Sequence, residues 1–480
     1  MRAAILAATL AALPLTAAIA ARTTLDGHEV LVAQTAREML ASGDFAVPTL
    51  NGAPRLQKPP LAYWLAAGCF RLFGENELAA RLPAAGSACA TAALVAALAT
   101  RWHGARIGLL AGAIQATTWW LLAYGRMALV DSLLTLLVTL GVAIAVWRPR
   151  GRWDCWLRPL SLGGVAGLLM LAKGPIGLAI LAPPVWASRW RVRRGATPLF
   201  KHWAILPAAA LFAALAFGWP ALVWAKQPDA LRIWREQSVE RFLDHYGPPT
   251  RSAWFVPITL LWLLAPWTPW ALWGAARAAR RLGRSRSDLI LLAWCAGGLM
   301  LCVASAGKRA HYLLPALPPF AIFAATALDA LRRRGVEWAR ILLQPRLHLG
   351  AAATYAVAFG IGAPLAEGRP GGRELIRRHS VELARERVAV FGTRDQWAIF
   401  PAPRPPRWLT DVPALRSFAA GGSGLILAPS ARSADLRNVG GVELDRVGPR
   451  GSWRERDPAE AFVLWALPNS VAAHDGERRR

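Results

Sequence analysis

Charged residues are scarce in this 480-residue sequence, 18% against 55% apolar, and that scarcity excludes an ordinary soluble domain, whose core needs far less hydrophobic chain. Mean hydropathy is positive, +0.31, as in a membrane protein. Cysteine is rare as well. The five residues Cys69, Cys89, Cys155, Cys295 and Cys302 form no CxxC pair, and most fall in or beside apolar runs where a thiol packs as a small hydrophobe. Neither a disulfide framework nor a zinc knuckle is expected. No internal repeat of fixed period is visible. A net charge of +27 would ordinarily raise nucleic acid as a partner, yet the arginines stand in clusters between apolar runs instead of one stripe, so none is expected.

What the sequence has in plenty is apolar runs of spanning or near-spanning length. They lie at 3–20, 78–99, 107–123, 128–147, 159–172, 174–188, 203–224, 254–276, 288–306, 311–328 and 347–365, about eleven in all. The fifth and sixth are short and meet at Lys173-Gly174-Pro175, which reads as a tight hairpin or a partly re-entrant pair. Alternate loops carry the basic residues: Arg101 and Arg106; Arg148, Arg150, Arg152 and Arg158; Arg189 to Lys201; Arg277 to Arg286; and Arg332 to Arg346. Those loops are expected in the cytoplasm, with the N-terminus, and the intervening ones outside. The opening MRAAILAATLAALPLTAAIA also has the Arg2, apolar core and small residues of a cleaved signal peptide; cleaved or retained, it delivers the first long loop to the outside. Of 24 tryptophans many sit at ends of apolar runs, such as Trp119, Trp120, Trp147, Trp267 and Trp270, the pattern of interfacial anchors.

The chain changes character after about residue 366. The 366–480 tail is charged, turn-rich and carries short β-like runs at RVAVFG, GLILAPS and AFVLWAL, the signature of a small α/β domain outside the membrane. The expected organisation is a polytopic core over 1–365, with a long first outer loop at 21–77, followed by that domain.

Candidate chemistry gathers on the outer face. In the first loop, HEVLVAQTAREMLASGDF reads as an amphipathic helix, Val32, Thr35, Ala36 and Met39 on one face and Gln34, Arg37 and Glu38 on the other, suited to the membrane interface. Asp26 and Glu29 precede or open it. Carboxylates there also serve as a solvated helix start, with Asp26 or Thr24 as cap. Asp131 lies inside an apolar run, where an acidic residue marks function by default; pairing with Arg126 is its structural alternative. Lys58, Arg81, Lys173, Lys308 and Arg309 lie on the same boundary. Each alone reads as a snorkelling cation, and together they would cradle a lipid phosphate or diphosphate.

The run TAREMLASGDFAVPTLNGAPRLQKPPLAYWLAAGCFRLFGENELAARLPAA resembles the first periplasmic loop of bacterial aminoarabinose transferases and their protein O-mannosyltransferase relatives. RMALVDSLLTL, LMLAKGPIGL, VERFLDHYGPP, LLAPWTPW and GKRAHYLLPALPP agree in order, so the resemblance spans residues 1–330. It implies a membrane all-α GT-C fold with interfacial helices in the first loop and an inverting transfer of sugar from a polyprenyl phosphate. It makes Lys58, Lys308 and Arg309 ligands of the donor phosphate, and Asp131 the acidic residue at the head of the fourth span. Where many relatives carry an Asp-Glu pair, this chain has His28-Glu29, so Glu29 and then Asp26 are the expected catalytic carboxylates with Asp131. His28, Tyr63, His245 and Tyr312 are expected to line the donor or acceptor site. Gln57 stands where relatives often have an acidic residue. No cofactor is therefore called for with certainty, and a divalent metal has weak support.

The expected function is transfer of a sugar from a polyprenyl-phosphate donor to a lipid, glycan or protein acceptor on the periplasmic face of a bacterial inner membrane. A carboxylate near the acceptor would orient or deprotonate its hydroxyl while the cations neutralise the leaving phosphate. A lipid-linked-sugar transporter or flippase, or a non-catalytic envelope scaffold, are the competing readings; the absence of matching half-sequences speaks against the transporter.

Overall fold

The computed structural model describes residues 1–21, 25, 27–147, 151, 153–190, 203–236, 252, 254–282, 284–305, 307–367, 371–392, 402–403, 406–448, 461–468 and 470. All of the expected apolar segments carry helix. In chain order these are α1 (Arg2–Ala20), α2 (Gly27–Ser42) and α3 (Leu61–Phe73) in the first long loop, α4 (Glu77–His103), α5 (Ala105–Ala116), α6 (Trp119–Gly125), α7 (Val130–Val146), α8 (Asp154–Lys173) and α9 (Ile176–Ala187). Then come α10 (Ile205–Lys226), α11 (Ala230–Arg235), α12 (Phe255–Leu263), α13 (Thr268–Arg280), α14 (Arg286–Ala304), a 3-10 turn at Ala310–Ala316, α15 (Pro318–Arg333), α16 (Glu337–Leu342) and α17 (Pro345–Leu365).

Six of these, α1, α4, α8, α10, α14 and α17, are long and apolar enough to cross a membrane alone; three bent pairs bring the number to nine. The pairs are α5 with α6 (52°), α12 with α13 (115°) and the 3-10 turn with α15 (60°). The two remaining expected spans are the shorter apolar helices α7 and α9. The Lys173-Gly174-Pro175 joint accordingly links a long helix to a short one, since α8 has 20 residues and α9 only 12.

The bundle closes through small residues. Glycines four apart on α8 face α10: a Cβ on Gly163 would stand 2.4 Å from the Ala208 carbonyl oxygen, and one on Gly167 2.5 Å from Leu215 Cβ. In a bilayer, where lipid offers no hydrophobic gain for helix association, such close backbone approach supplies the packing energy. Two of the expected interfacial tryptophans belong to this interior. Trp120 and Trp267 are buried, and the Trp267 indole donates to Thr117 Oγ1 at 3.0 Å and stacks on His348. A run of apolar sequence ending in Trp does not distinguish a belt from a helix kink, and Trp267 stands at the bend between α12 and α13.

The first long loop is folded rather than spread on a surface. The expected polar face of α2 is turned inward: Gln34 and Glu38 are buried with Val30, Ala33 and Met39. Glu38 explains why. Its carboxylate accepts from Gln34 Nε2 (2.9 Å), Thr49 Oγ1 (2.8 Å), and the N–H groups of Asn51 (2.7 Å) and Gly52 (3.2 Å). Asn51 and Gly52 both have positive φ, 55° and 76°, and make the two-residue turn between strands Thr49–Leu50 and Ala53–Pro54. The REML and NG elements are thus one device, a carboxylate satisfying a hairpin.

Beyond the bundle, a five-stranded mixed sheet forms from Val388–Phe391, Arg407–Leu409, Leu425–Pro429, Val442–Val447 and Phe462–Ala466. The three β-like runs read from the sequence, RVAVFG, GLILAPS and AFVLWAL, are its three central strands, and nearly every side chain in them is buried. This sheet unit touches the first loop. Arg37 pairs with Glu75 at 2.7 Å and donates to the Ala402 carbonyl at 2.9 Å, while Trp408 packs against both the loop core and the sheet core.

Candidate functional site

Asp131 opens α7 and Lys173 closes α8, and because these helices run antiparallel their charged ends meet. The Lys173 ammonium donates to Asp131 Oδ1, both side chains buried. Asp131 is thus paired with Lys173; Arg126, the partner in the structural alternative, has its guanidinium over the Phe359 ring at 5.0 Å on α17. Lys173 Nζ also sits 4.8 Å from the centre of the Tyr312 ring. Lys58 and His311 stand near enough to act on the charge of Asp131, and Arg309 on that of His311.

A cavity of about 350 Å³ ends on this cluster. Lys58, Lys173, Gln57 and Tyr312 supply its polar end, and its walls are apolar, including Leu134, Met170, Ile180 and Leu301. A mostly apolar lining that also holds two ammonium groups is suited to a molecule with a greasy part and an anionic head.

Two tryptophans hold the loop that brings in Lys58. Trp219 of α10 donates its indole N–H to Ala46 O at 2.7 Å, and Trp234 of α11 donates to Leu56 O at 2.9 Å. Their rings lie 5.6 Å apart and both line the cavity. A third tie is ionic: Lys226 stands 3.0 Å from Asp44, and together with the Ala46 N–H it holds the Asp44 carboxyl below the usual carboxylate range.

Of the residues expected from sequence, Lys58, Lys173, Asp131 and Tyr312 come together. Lys308 and Arg309 are half-buried beside Gly307, which lines the cavity. Glu29 and Arg81, expected as catalyst and phosphate ligand, are instead brought to each other. Arg81 Nε and Nη2 donate to the two Glu29 oxygens at 2.8 and 2.9 Å, and Glu29 Oε1 also accepts the Ala128 N–H at 2.8 Å, all of it buried. The bidentate pair and the Ala128 N–H occupy three of the acceptor sites of the Glu29 carboxylate and hold both charges in the interior. Its position assigns it another task, since Ala128 lies in the turn that leads into Asp131. Tyr63 is buried with Arg55 Nε 3.3 Å from its hydroxyl, and burial raises its pKa; it lies off the cavity lining. His28 is exposed on the first turn of α2. Asp26 and His245 lie outside the described residues. Sequence reasoning missed His311, Trp219 and Trp234 as site residues; for His311 the signal was its place in GKRAHYLLP, one residue before Tyr312. Among the described residues no group of three or more His, Cys, Asp and Glu side chains is placed to hold a metal ion.

Residues 57–224 match the model of the dolichyl-phosphate-mannose-protein mannosyltransferase family. The chain is 31% identical over 308 residues to undecaprenyl phosphate-alpha-4-amino-4-deoxy-L-arabinose arabinosyl transferase 2 of Sodalis glossinidius, covering 62% of this chain and 54% of that one. To the corresponding transferase of Edwardsiella ictaluri it is 29% identical over 389 residues, covering 78% and 67%. The chain thus spans between about half and two thirds of the length of these curated relatives. Among solved structures, ArnT from Cupriavidus metallidurans bound to undecaprenyl phosphate superposes with a TM-score of 0.74 at 16% identity, covering 96% of this chain and 97% of that one. An oligosaccharyltransferase of Archaeoglobus fulgidus superposes at 0.52 and 12% identity, over 93% of this chain and 72% of that one. The superposition shows that the chain has the GT-C membrane fold of these structures, and in sequence it is similar to the aminoarabinosyl transferases and, over residues 57–224, to the dolichyl-phosphate-mannose-protein mannosyltransferase family.

Proposed function

We propose that this protein is an inverting glycosyltransferase that moves a sugar from a polyprenyl-phosphate donor to a lipid, glycan or protein acceptor on the periplasmic face of the bacterial inner membrane. The observation that carries the reading is the largely apolar cavity whose lining includes Lys58 and Lys173. A polyprenyl phosphate has the matching form, an isoprenoid tail and an anionic head. The N-terminus then lies in the cytoplasm and the first loop, the Lys173-Gly174-Pro175 joint and the sheet unit lie outside, which agrees with the arginine-rich loops falling at the opposite helix ends.

In this reading Lys58, with Lys308 and Arg309 at the edge, neutralises the phosphate as it leaves the anomeric carbon, and Lys173, its charge already balanced by Asp131, contributes a hydrogen-bond donor. Fixed cations in a water-poor site do this without reorganising at the moment of reaction. Asp131 orients the Lys173 ammonium. The acceptor hydroxyl attacks from the face opposite the phosphate, which inverts the carbon with no covalent enzyme intermediate. With Glu29 engaged by Arg81, Asp26 is the first-loop carboxylate assigned to take the acceptor proton. The Glu29–Arg81 pair holds the loop and the turn before Asp131 in register.

The test is a transfer assay on the purified full chain. Its first donor is undecaprenyl phosphate carrying 4-amino-4-deoxy-L-arabinose, named by the relatives, and its second carries mannose; envelope lipids and glycans of cells with and without the gene are compared by mass spectrometry. The reading expects a new glycosidic bond, lost in Lys58→Ala and Asp26→Asn. Lipid movement with no bond formed would make the protein a flippase, and neither activity would make it a scaffold.

A further inference from the structure

The ends of α7 and α8 opposite Asp131 and Lys173 carry a second concentration of charge. At ~1.5 Å per residue the 17 residues of α7 place these ends about 25 Å apart. At the C-terminus of α7 the last carbonyls have no partners within the helix, and arginines supply them. Arg158 Nε donates to Ile144 O at 3.2 Å and its Nη2 to Ala145 O, while Arg101 donates to Val146 O at 3.3 Å. Arg189 and Arg286 lie within electrostatic reach of Arg158 and of each other, and Arg286 donates to Ser188 O at the end of α9. Arg158 is buried, Arg189 half-buried, and Arg101 and Arg286 exposed, so the charge rises from the interior to the surface.

A helix C-terminus favours such cations by about half a unit of charge. Of the described carboxylates near these ends, Asp154 accepts the Gly151 N–H at 3.1 Å and Asp288 pairs with Arg281 at 3.1 Å. Between α4 and α7 runs an apolar groove of about 190 Å³ whose walls include Leu94, Leu98, Val146, Arg101 and Trp147. Trp153, Trp156 and Leu157 precede Arg158, and Trp186 and Trp190 flank Arg189, all of them exposed, as in a belt at a membrane boundary.

We infer that this end of the bundle binds an acidic phospholipid, its phosphate on the arginines around the C-terminus of α7 and an acyl chain in the α4–α7 groove. Like charges brought together at a lipid surface are held most favourably by an anion between them, and the groove beside Arg101 gives that anion an apolar tail to bury. The site is separate from the sugar-donor cavity and does not depend on the transferase reading.

Native mass spectrometry of the full chain, in micelles holding equal phosphatidylglycerol and phosphatidylcholine, tests this. Wild type retains phosphatidylglycerol preferentially, and the preference falls about fivefold for each exposed arginine removed, in Arg101→Gln, Arg286→Gln and the double variant. Ala97→Trp, which fills the groove from an exposed position without altering charge, lowers retention as well. Equal retention of the two lipids by wild type, or an unchanged preference in the double variant, overturns the inference. So does complete displacement by millimolar inorganic phosphate, which would assign the arginines to a free anion with no need of the groove.

Discussion

Replacing Asp131 by Asn tests the cation cluster most directly. The carboxylate is buried against the Lys173 ammonium and also feels Lys58 and His311. Removing one partner of a buried pair costs about 3–5 kcal/mol, because the other charge stays buried without compensation. Asp131→Asn exposes Lys173 to the neighbouring Lys58 as well, so it should lie at the upper end, whereas Lys173→Met leaves a carboxylate with other cations near it and should lie at the lower end. The double variant removes both charges and should lose less than the sum of the singles, by at least about 2 kcal/mol. Unfolding in mixed micelles measures all three. A further arm separates architecture from ligand binding: an anion that binds beside Lys173 takes the place of Asp131. Undecaprenyl phosphate at one hundred times its Kd should restore roughly 2.7 kcal/mol to Asp131→Asn. Transfer stays about 100-fold or more below wild type in every variant, since Lys173 is either unoriented or absent. Single-variant losses that add within about 0.5 kcal/mol would refute the coupling, and Asp131→Asn protein indifferent to the lipid phosphate would refute the cation cluster as its site.

Three further outcomes rest on the loop and the helix contacts. Glu29→Gln removes the anion from a buried bidentate pair and should destabilise by about 3–5 kcal/mol in the same unfolding assay, whereas Asp26→Asn should abolish transfer; transfer kept by Asp26→Asn and lost by a folded Glu29→Gln would return the base to Glu29. Gly163→Leu drives a side chain into the Ala208 carbonyl and should separate α8 from α10, read as loss of a cross-link between cysteines placed on the two helices; an intact cross-link would show that the approach is not required. The Asp44–Lys226 tie has a defined pH sense: a carboxyl held below its usual range contributes stability that is present above the unfolded pKa of about 3.9 and is lost as pH falls through the folded value. Because the pair is exposed it contributes at most about 1 kcal/mol, so protease sensitivity of the 44–58 loop should be flat from pH 7 to about pH 5 and rise only below about pH 4. A rise already at pH 6 would contradict it.

Much of this architecture is written in local pattern, and what is missing from the pattern is tertiary. The apolar runs and the three buried strands announce themselves because hydrophobic length and continuity are properties of adjacent residues. Lys58, Lys173, Asp131 and Tyr312 were found because each is a polar group in or at the end of an apolar run, where its cost of burial makes it conspicuous. The partner of such a group is not local. Asp131 had Arg126 five residues away and took Lys173, forty-two residues away, because α7 and α8 are antiparallel neighbours. Glu29 reads from the sequence as a catalyst, and only the fold shows Arg81, fifty-two residues on, bonded to both its oxygens. Trp219 and Trp234 were hidden for another reason. In a membrane sequence tryptophan reads as a belt residue, and only the fold reveals that these indoles bond the loop carrying Lys58.

The helix ends give this cluster its electrostatic logic. Asp131 stands in the first turn of α7, where the helix dipole favours an anion, and Lys173 in the last turn of α8, where it favours a cation. Antiparallel packing sets the two ends side by side, so each charge is stabilised by its own helix before either meets the other. This lets the pair survive in a low-dielectric setting without further counter-charges, and it also limits what the pair can do alone. With Asp131 already neutralising Lys173, a phosphate arriving at the cavity finds little net charge there. The remaining positive charge must come from outside the α7–α8 contact, from Lys58 on the first loop and from Lys308 and Arg309 after α14. Those three are carried by segments held to the bundle by separate contacts: indole hydrogen bonds for the loop, and the 3-10 turn for the segment after α14. The attraction for a phosphate is therefore set by how those segments are held. That is why the Trp219 and Trp234 hydrogen bonds, remote from the reacting atoms, belong to the same functional unit as the buried ion pair.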